Sequence, residues 1–262
     1  MTDILNLQGI VYFVSDLHLG IPDHAASLER EKKFVRWLDQ VKTDAAVIFI
    51  VGDLFDFWFE YRQVVPRGYV RVLGKLAELR DQGIPVYFFT GNHDQWMKDY
   101  FENELNIPVY HEPQRINIAG SKFLIAHGDG LGPGDHGYKF LKTIFRSKFS
   151  RWLFSWLHPD IGVWLGRRWS KNSRLISGED QAEFMGEEKE WLIQYARTVL
   201  KTEGVDYFIF GHRHIVLDYP LTETSRYINL GDWIRFFSYA VFDGKSLAVK
   251  SFDTDNRWKL SY

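Results

Sequence analysis

Apolar positions recur along the chain with two different periods. Apolar runs near residues 10–15, 46–51 and 85–90 predict strands, whereas helical spacing near residues 27–42 and 67–82 predicts helices. Strands that alternate with helices are typical of βαβ units, in which a helix connects two parallel strands. The first half of the chain therefore predicts an α/β fold with a parallel sheet.

The second half of the chain begins with helical spacing and ends with strand-like runs. Apolar residues recur at helical spacing over residues 141–157, His158 and Pro159 break this helix, and further helices are predicted over residues 163–174 and near 180–203. From residue 207 onward, strand-like runs predict a mostly antiparallel second sheet at the C-terminus. The pattern predicts two stacked sheets covered by helices.

Five of the strand-like runs stop at residue types that commonly bind metals. These residues are Asp16 and His18, Asp53, Asn92 to Asp94, His127, and His212 and His214. Ligands of open α/β sheets bind at the carboxyl ends of the strands, so we expect these side chains to share one cleft. Residues two positions apart in an extended segment face the same side, which favours pairing within the first and last groups. We expect Asp94 instead to cap the helix that follows it.

Composition narrows the chemistry of this cleft. The 262 residues are 45% hydrophobic and 25% charged and include no cysteine, so thiolate metal sites and disulfides are excluded. Oxygen and nitrogen ligands without sulfur suit Mn²⁺, Fe or Zn²⁺. The length favours one domain over residues 1–262 with a helical insertion, predicted over residues 137–185. The N-terminus lacks the pattern of a signal peptide, and no apolar stretch has the length of a spanning helix, so we expect a cytoplasmic protein.

Charge is distributed unevenly along the chain. The formal net charge is −2, yet the segment from Gly137 to Leu175 has nine Lys or Arg residues against one acid, Asp160. A segment this cationic is expected to meet an anionic partner. Aromatic residues lie among these basic residues.

The motifs at the strand ends are DLH, GDLFD, GNHD, HGD and GHRH, in this order. Over residues 10–232 they resemble the calcineurin-like metallophosphoesterase superfamily. The resemblance implies a four-layer α/β/β/α sandwich of two mixed sheets and a site for two divalent metals, most readily Mn²⁺. It implies that Asp16, His18, Asp53 and His214 hold one metal, and that Asp53, Asn92, His127 and His212 hold the other.

The same resemblance assigns the catalytic groups. It implies that water attacks phosphorus without a protein nucleophile, that His93 donates a hydrogen bond or proton to the phosphoryl group or the leaving oxygen, and that Asp56 orients His93. Protein phosphatases of the superfamily carry Arg at the position of Phe57, which weighs against a phosphoprotein substrate.

GDLFDFW, HGDGLGPGDHGY and RRWSKNSR look like the UDP-2,3-diacylglucosamine diphosphatase family of lipid A biosynthesis, some members of which have Arg at the position of His93. This resemblance implies cleavage of a pyrophosphate in an acylated sugar nucleotide, which releases UMP and 2,3-diacylglucosamine 1-phosphate. By motif position, the candidates for substrate contact are Asp135, Tyr138, Ser170, Lys171 and Asn172.

Two alternatives remain open. The insertion would be merely structural if the substrate is a soluble nucleotide or phosphoester. The chain would bind partners without catalysis if it is a scaffold, although a scaffold has no need of a complete ligand set. On the lipid-precursor hypothesis, we expect peripheral association with the inner membrane and neither a nucleic acid nor an obligate protein partner.

Overall fold

The structure is a computed structural model that describes residues 2–4, 9–133, 143–145, 147–177 and 183–253, with the backbone alone at 2–4 and 172–177. The described strands are β1 (Thr2–Ile4), β2 (Ile10–Val14), β3 (Ala45–Val51), β4 (Val86–Phe89), β5 (Val109–Tyr110), β6 (Gln114–Ile118), β7 (Ser121–Ile125), β8 (Tyr207–Phe210), β9 (Val216–Pro220), β10 (Arg226–Leu230), β11 (Ser238–Phe242) and β12 (Leu247–Ser251). The helices are α1 (His24–Val41), α2 (Val70–Asp81), α3 (Tyr100–Leu105), α4 (Lys148–Phe154), α5 (Pro159–Ser177) and α6 (Trp191–Leu200).

The strands form two mixed sheets. The first sheet has the order β12-β11-β2-β3-β4-β5, in which β2 to β5 are parallel and β11 is antiparallel to both of its neighbours. The second has the order β1-β6-β7-β8-β10-β9, with parallel β7–β8 and β8–β10 pairs. Because β2, β3 and β4 are parallel in one sheet and β7 and β8 in the other, the carboxyl ends within each group lie at one edge.

The alternation of side chains in β2 explains how the layers pack. Phe13 faces the apolar layer between the sheets, where its ring stacks on Phe49 of the same sheet and Phe123 of the other, with centroids 5.1 and 5.7 Å away. Tyr12 faces the opposite way, and its ring meets the edge of Trp37 in α1. A strand that is buried on both faces needs a partner layer on each side.

Helices supply the two outer layers. Helices α1, α2 and α3 pack on the outer face of the first sheet, and α6 packs on the outer face of the second through its buried apolar residues. The order of layers is α/β/β/α, which confirms the predicted four-layer sandwich of two mixed sheets. The aliphatic and aromatic side chains in these layers each contribute roughly 1.5 to 3 kcal/mol by burial.

The prediction of a separate C-terminal sheet was wrong. Strands β8, β9 and β10 complete the second sheet, whereas β11 and β12 join the first sheet beside β2. The reason lies in β11, which is buried along its whole length: Ala240 and Phe242 face the layer between the sheets, and Tyr239 and Val241 face the α1 side. Local periodicity cannot show which of two sheets such a strand will join.

The helices that follow β7 agree in part with their predicted positions. Helix α5 begins at Pro159, as the break at His158 and Pro159 predicts, because proline is well suited to the first turn of a helix. Helix α6 is shorter than the helix predicted near residues 180–203. The extent of the insertion and the single-domain organisation remain predictions. Among the described helices, none combines the length and apolar character that crossing a bilayer requires.

Candidate metal centre and active site

The loops that follow β2, β3, β4, β7 and β8 bring the predicted ligands together. Backbone hydrogen bonds join the loops: the Asp16 amide donates to the Gly52 carbonyl at 3.1 Å, and the His18 amide to the Asp53 carbonyl at 2.9 Å. The His212 amide of the second sheet donates to Asp16 Oδ2 at 3.0 Å. Both sheets therefore contribute to one buried cluster.

Asp16, His18 and His214 form the first group of candidate ligands. His214 Nε2 lies 3.2 Å from Asp16 Oδ1 and 3.1 Å from His18 Nε2, and all three side chains are buried. The two facing nitrogens cannot both present lone pairs to each other without repulsion. A cation between them removes that conflict.

Asp53, His127 and Asn92 form the second group. His127 Nε2 lies 3.2 Å from Asp53 Oδ2 and 3.3 Å from Asn92 Oδ1. The other ring nitrogen, Nδ1, donates to the Val51 carbonyl at 2.9 Å, so neutral His127 presents a lone pair at Nε2. The lone pair of His127 Nε2 then faces the oxygen acceptors of Asp53 and Asn92, and a bound cation would remove the repulsion between them. Asp53 Oδ2 is also 3.6 Å from His18 Nε2 and so lies between the two groups.

His212 is placed beside the second group. Its ring lies edge-on to His127 with centroids 5.3 Å apart, and its amide binds the Asp16 carboxylate. The structure therefore brings all seven predicted ligands to the same region. Among the described residues, His212 is not part of the groups of three whose ligand atoms lie within 4.8 Å of one another.

The backbone at these residues has an uncommon conformation. Positive φ angles occur at five of the predicted ligands: Asp16 (55°), His18 (44°), Asp53 (52°), His212 (68°) and His214 (51°). A non-glycine residue in this region costs on the order of 1 to 3 kcal/mol, and such residues cluster at functional sites. The expectation that paired ligands share a face because their segments are extended was therefore wrong; left-handed turns after the strands aim them.

Two glycines leave space for the carboxylates of Asp53 and Asp16 to lie against the backbone. A Cβ at Gly91 would collide with Asp53 Oδ1, and a Cβ at Gly211 would collide with Asp16 Oδ2. These glycines precede Asn92 and His212, so the Gly-Asn-His-Asp and Gly-His-Arg-His motifs need glycine for space.

The electrostatics of the cluster are those of a cation site. Burial alone would raise the pKa of Asp53, but the neighbouring His127 and His93 outweigh burial and hold it well below its usual range. Burial alone would lower the pKa of His18, but the neighbouring carboxylates of Asp16, Asp56 and Asp53 raise it to about 10. The carboxylates stay ionised and attract either protons or metal ions to the imidazoles.

Asp94 does not cap a helix, contrary to the prediction. Its carboxylate accepts from the Gly91 amide at 2.7 Å and the Leu54 amide at 2.9 Å, so it clamps the loops after β3 and β4. Burial and the charge of Asp53 raise the pKa of Asp94 to about 7. The first turn of α3 is instead bound by Glu60, which accepts from the amides of Asp99 and Tyr100.

Asp232 is a residue that the sequence interpretation missed. It is fully buried, and its Oδ2 lies 3.6 Å from His214 Nδ1. Arg235 donates to Asp232 Oδ2 through Nε at 3.0 Å and to the His214 carbonyl at 2.7 Å. A carboxylate behind a ligand histidine sets its orientation and basicity. The available signal was the run YINL followed by Gly231 and Asp232, which repeats the pattern of Gly52 and Asp53.

The two ring nitrogens of His93 differ in their contacts. Nδ1 lies 3.0 Å from the Asp56 carbonyl oxygen, and because a carbonyl only accepts, Nδ1 carries the proton. Nε2 is buried, and no group in the described ranges forms a hydrogen bond with it. The ring contacts that of His18, with centroids 4.8 Å apart. This buried nitrogen is therefore available to a bound substrate.

The predicted substrate contacts are placed unevenly. Asp135 and Tyr138 lie outside the described residues, and Asn172 is described only by its backbone in α5. Lys171 is exposed on α5. Ser170 is 4% exposed, and its Oγ lies 2.8 Å from Asp56 Oδ2 and 2.9 Å from His93 Nδ1. Their contact with substrate stays a prediction.

The chain matches known proteins over most of its length. The family of calcineurin-like phosphoesterases matches over residues 10–216. A Porphyromonas gingivalis protein named UDP-2,3-diacylglucosamine hydrolase is 40% identical over 94% of this chain and 99% of its own. A protein of the same name from Aeromonas salmonicida is 31% identical over 85% of each chain. Another, from Shewanella sp., is 27% identical over 93% of this chain and 98% of its own. With its buried carboxylate and imidazole groups suited to divalent metal, the chain belongs to the calcineurin-like phosphoesterase family.

Proposed function

We propose that this protein hydrolyses the pyrophosphate of UDP-2,3-diacylglucosamine and releases UMP and 2,3-diacylglucosamine 1-phosphate. The observation that carries the proposal is the buried Asp and His cluster at the strand ends, in a chain that is similar to UDP-2,3-diacylglucosamine hydrolases over nearly its whole length. The cluster supports hydrolysis of a phosphoric ester or anhydride, and the similarity supports this acylated sugar nucleotide as the substrate.

Two divalent ions, most readily Mn²⁺, fit the donor set. One ion would be held by Asp16, His18 and His214. The other would be held by Asn92, His127 and His212, and Asp53 would contact both ions. Supporting this division, Asp53 Oδ2 lies 3.2 Å from His127 Nε2 and 3.6 Å from His18 Nε2. When bound, such ions supply Lewis acidity, which lowers the pKa of water and withdraws charge from phosphoryl oxygens.

His93 would act on the leaving group. Attack of water at the phosphorus next to uridine makes the acylated sugar phosphate leave, and its oxygen needs a hydrogen-bond or proton donor. With Nδ1 bound to the Asp56 carbonyl, Nε2 is the ring nitrogen left to meet the leaving oxygen, and in the imidazolium form it donates. A side chain so held needs little reorientation before it can act.

The aromatic residues of the basic segment divide into two groups. Phe154 packs inward, with its ring 4.7 Å from the centroids of Phe59 and Trp96. Phe149 and Trp156, in and just after α4, are 69% and 74% exposed. Inward packing holds the segment on the body of the protein, and the outward aromatics support the proposal that it receives acyl chains.

The same outward side chains support peripheral attachment to the cytoplasmic face of the inner membrane. Trp152 is exposed beside Phe149, and the basic residues Lys148 and Arg151 lie on the same helix. Aromatic residues enter the interfacial region of a bilayer, while Lys and Arg favour anionic lipid. This combination favours an acylated, membrane-borne substrate over a soluble nucleotide.

The direct test is UMP release from UDP-2,3-diacylglucosamine by the purified protein with Mn²⁺. Asp53→Asn, which keeps the side-chain volume but removes the charge between the two groups, is expected to abolish release. UDP-N-acetylglucosamine, which lacks the long acyl chains, should be a much poorer substrate. If the wild type loads metal and cleaves a simple phosphodiester but leaves UDP-2,3-diacylglucosamine intact, the proposed substrate is wrong.

A further inference from the structure

Helix α5 presents small residues at a spacing of four positions. Gly162, Gly166 and Ser170 lie on one face of the helix, because residues four apart are neighbours along a helical surface. All three are buried, whereas most residues between them are exposed. This face is therefore the one by which α5 contacts the body of the protein.

The two glycines bring α5 close to the segment that follows Asp53. A Cβ at Gly162 would collide with the Tyr61 hydroxyl, and a Cβ at Gly166 would collide with the Phe57 ring. The helix backbone consequently lies directly against the Asp56 to Tyr61 segment. The third residue of the face, Ser170, is thereby carried to the catalytic centre.

Ser170 fills the space between the Asp56 carboxylate and the His93 ring. The direct distance from His93 Nδ1 to Asp56 Oδ1 is 3.8 Å, which is too long for a hydrogen bond. Ser170 Oγ lies 2.9 Å from Nδ1 and 2.8 Å from Asp56 Oδ2. The carboxylate therefore reaches the imidazole through the serine hydroxyl.

The direction of these hydrogen bonds follows from the chemistry of the partners. An ionised carboxylate only accepts, so the Ser170 hydroxyl donates to Asp56 Oδ2. Its oxygen then accepts from His93 Nδ1, which shares its proton between Ser170 Oγ and the Asp56 carbonyl. This arrangement fixes the Nδ1-protonated tautomer and the plane of the ring.

We infer that Ser170 is a positioning residue, through which helix α5 holds the His93 ring in the orientation that aims Nε2 at the substrate. The inference rests on the proposed function for the role of His93, and it differs from the sequence-based expectation that Ser170 contacts substrate. On this inference, catalysis depends on the position of α5. If α5 were displaced, His93 Nδ1 would lose its bond to Ser170 and keep its bond to the Asp56 carbonyl.

Steady-state kinetics of UMP release separate positioning from binding. Ser170→Ala is expected to lower kcat by about 10- to 100-fold, the range typical of groups that orient a functional histidine, with KM changed by less than about threefold. Ser170→Thr retains the hydroxyl and should recover most of kcat. Ser155→Ala removes a serine hydroxyl of the same basic segment that donates to the Trp152 carbonyl, and this variant should match the wild type. A rise in KM with kcat preserved would overturn the inference.

A double-mutant cycle distinguishes action through His93 from direct contact with substrate. His93→Gln should lower kcat, and adding Ser170→Ala to that variant should lower it by no more than about twofold further, because the serine then has no imidazole to position. If the kcat of the double variant falls by the product of the two single-variant factors, Ser170 acts independently of His93, and the inference is overturned.

Nuclear magnetic resonance of the histidine ring gives a readout without turnover. In ¹⁵N-histidine protein loaded with Zn²⁺, the His93 signals are assigned by their loss in His93→Gln. Ser170→Ala should shift the His93 Nδ1 signal, whereas Ser155→Ala should not. An unchanged signal would overturn the inference. If the signal shifts while the wild type releases no UMP, the proposed function fails and the positioning role of Ser170 stands.

Discussion

The Nε2 atoms of His18 and His214 lie 3.1 Å apart, although 196 positions separate the two residues in the sequence. His18 follows β2 of the first sheet, and His214 follows β8 of the second. The contact therefore joins the two sheets at the site, in addition to the apolar side chains packed between them. Shared binding of a cation at this contact would tie both sheets together as well as create the reactive centre.

Metal affinity is expected to rise with pH. The pKa of His18 is raised to about 10 and that of His127 well above its usual range, so protons compete with metal ions for both imidazoles. Metal must displace those protons, so affinity is low below the pKa values and increases as pH approaches them. Calorimetric titration with Mn²⁺ in two buffers of different ionisation enthalpy measures proton release. An enthalpy that does not depend on the buffer would contradict this prediction.

Asp232 is expected to tune the His214 ligand. Asp232→Asn keeps an oxygen that can accept from the amides of Ile234 and Arg235 but removes the charge beside His214 Nδ1. Loss of such a partner typically costs about 10- to 100-fold in metal affinity or activity. Metal titration and UMP release measure the effect. Asp243→Asn, in the exposed turn between β11 and β12, is the matched control and should leave both unchanged.

Strand and helix positions could be predicted where one local period dominates. Strands β2 and β3 lie close to the predicted ranges because each is a continuous apolar run, and helices α1 and α2 do so because each has one apolar face. The placement of β11 could not be predicted, because both of its faces are apolar and either sheet could take it. Tertiary packing decided its partner.

The proximity of the candidate site residues was easier to predict than their individual contacts. Carboxylate and imidazole types after apolar runs were enough to identify Asp16, His18 and Asp53 as a group. The left-handed turns that aim them and the clamp formed by Asp94 could not be predicted, because they depend on contacts between different loops. The bridge from Ser170 to His93 joins residues 77 positions apart and has no local signal.

Outward aromatic side chains are expected to bind anionic membranes. Replacing Phe149, Trp152 and Trp156 together by serine should weaken sedimentation with phosphatidylglycerol vesicles by at least about tenfold, because this change removes the exposed aromatic side chains in and just after α4. Binding should also fall with added salt, which screens Lys148 and Arg151. Val70→Ser, at an exposed position on α2, is the control. Equal binding by the triple variant and the wild type would refute this surface as the membrane contact.

Two helical glycines should respond oppositely to alanine. Gly166→Ala places a methyl group against the Phe57 ring, so α5 must shift, which is expected to cost about 1 to 3 kcal/mol of packing and to lower kcat by displacing Ser170. Adding Phe57→Leu to Gly166→Ala should restore part of the lost stability and kcat, because leucine is shorter than the phenylalanine that opposes the new methyl group. Gly74→Ala, on an open surface of α2, should instead stabilise the protein by roughly 0.5 to 1 kcal/mol without changing kcat. Denaturant unfolding and UMP release measure both effects, and a Gly166→Ala variant as active as Gly74→Ala would show that the close seating of α5 does not control catalysis.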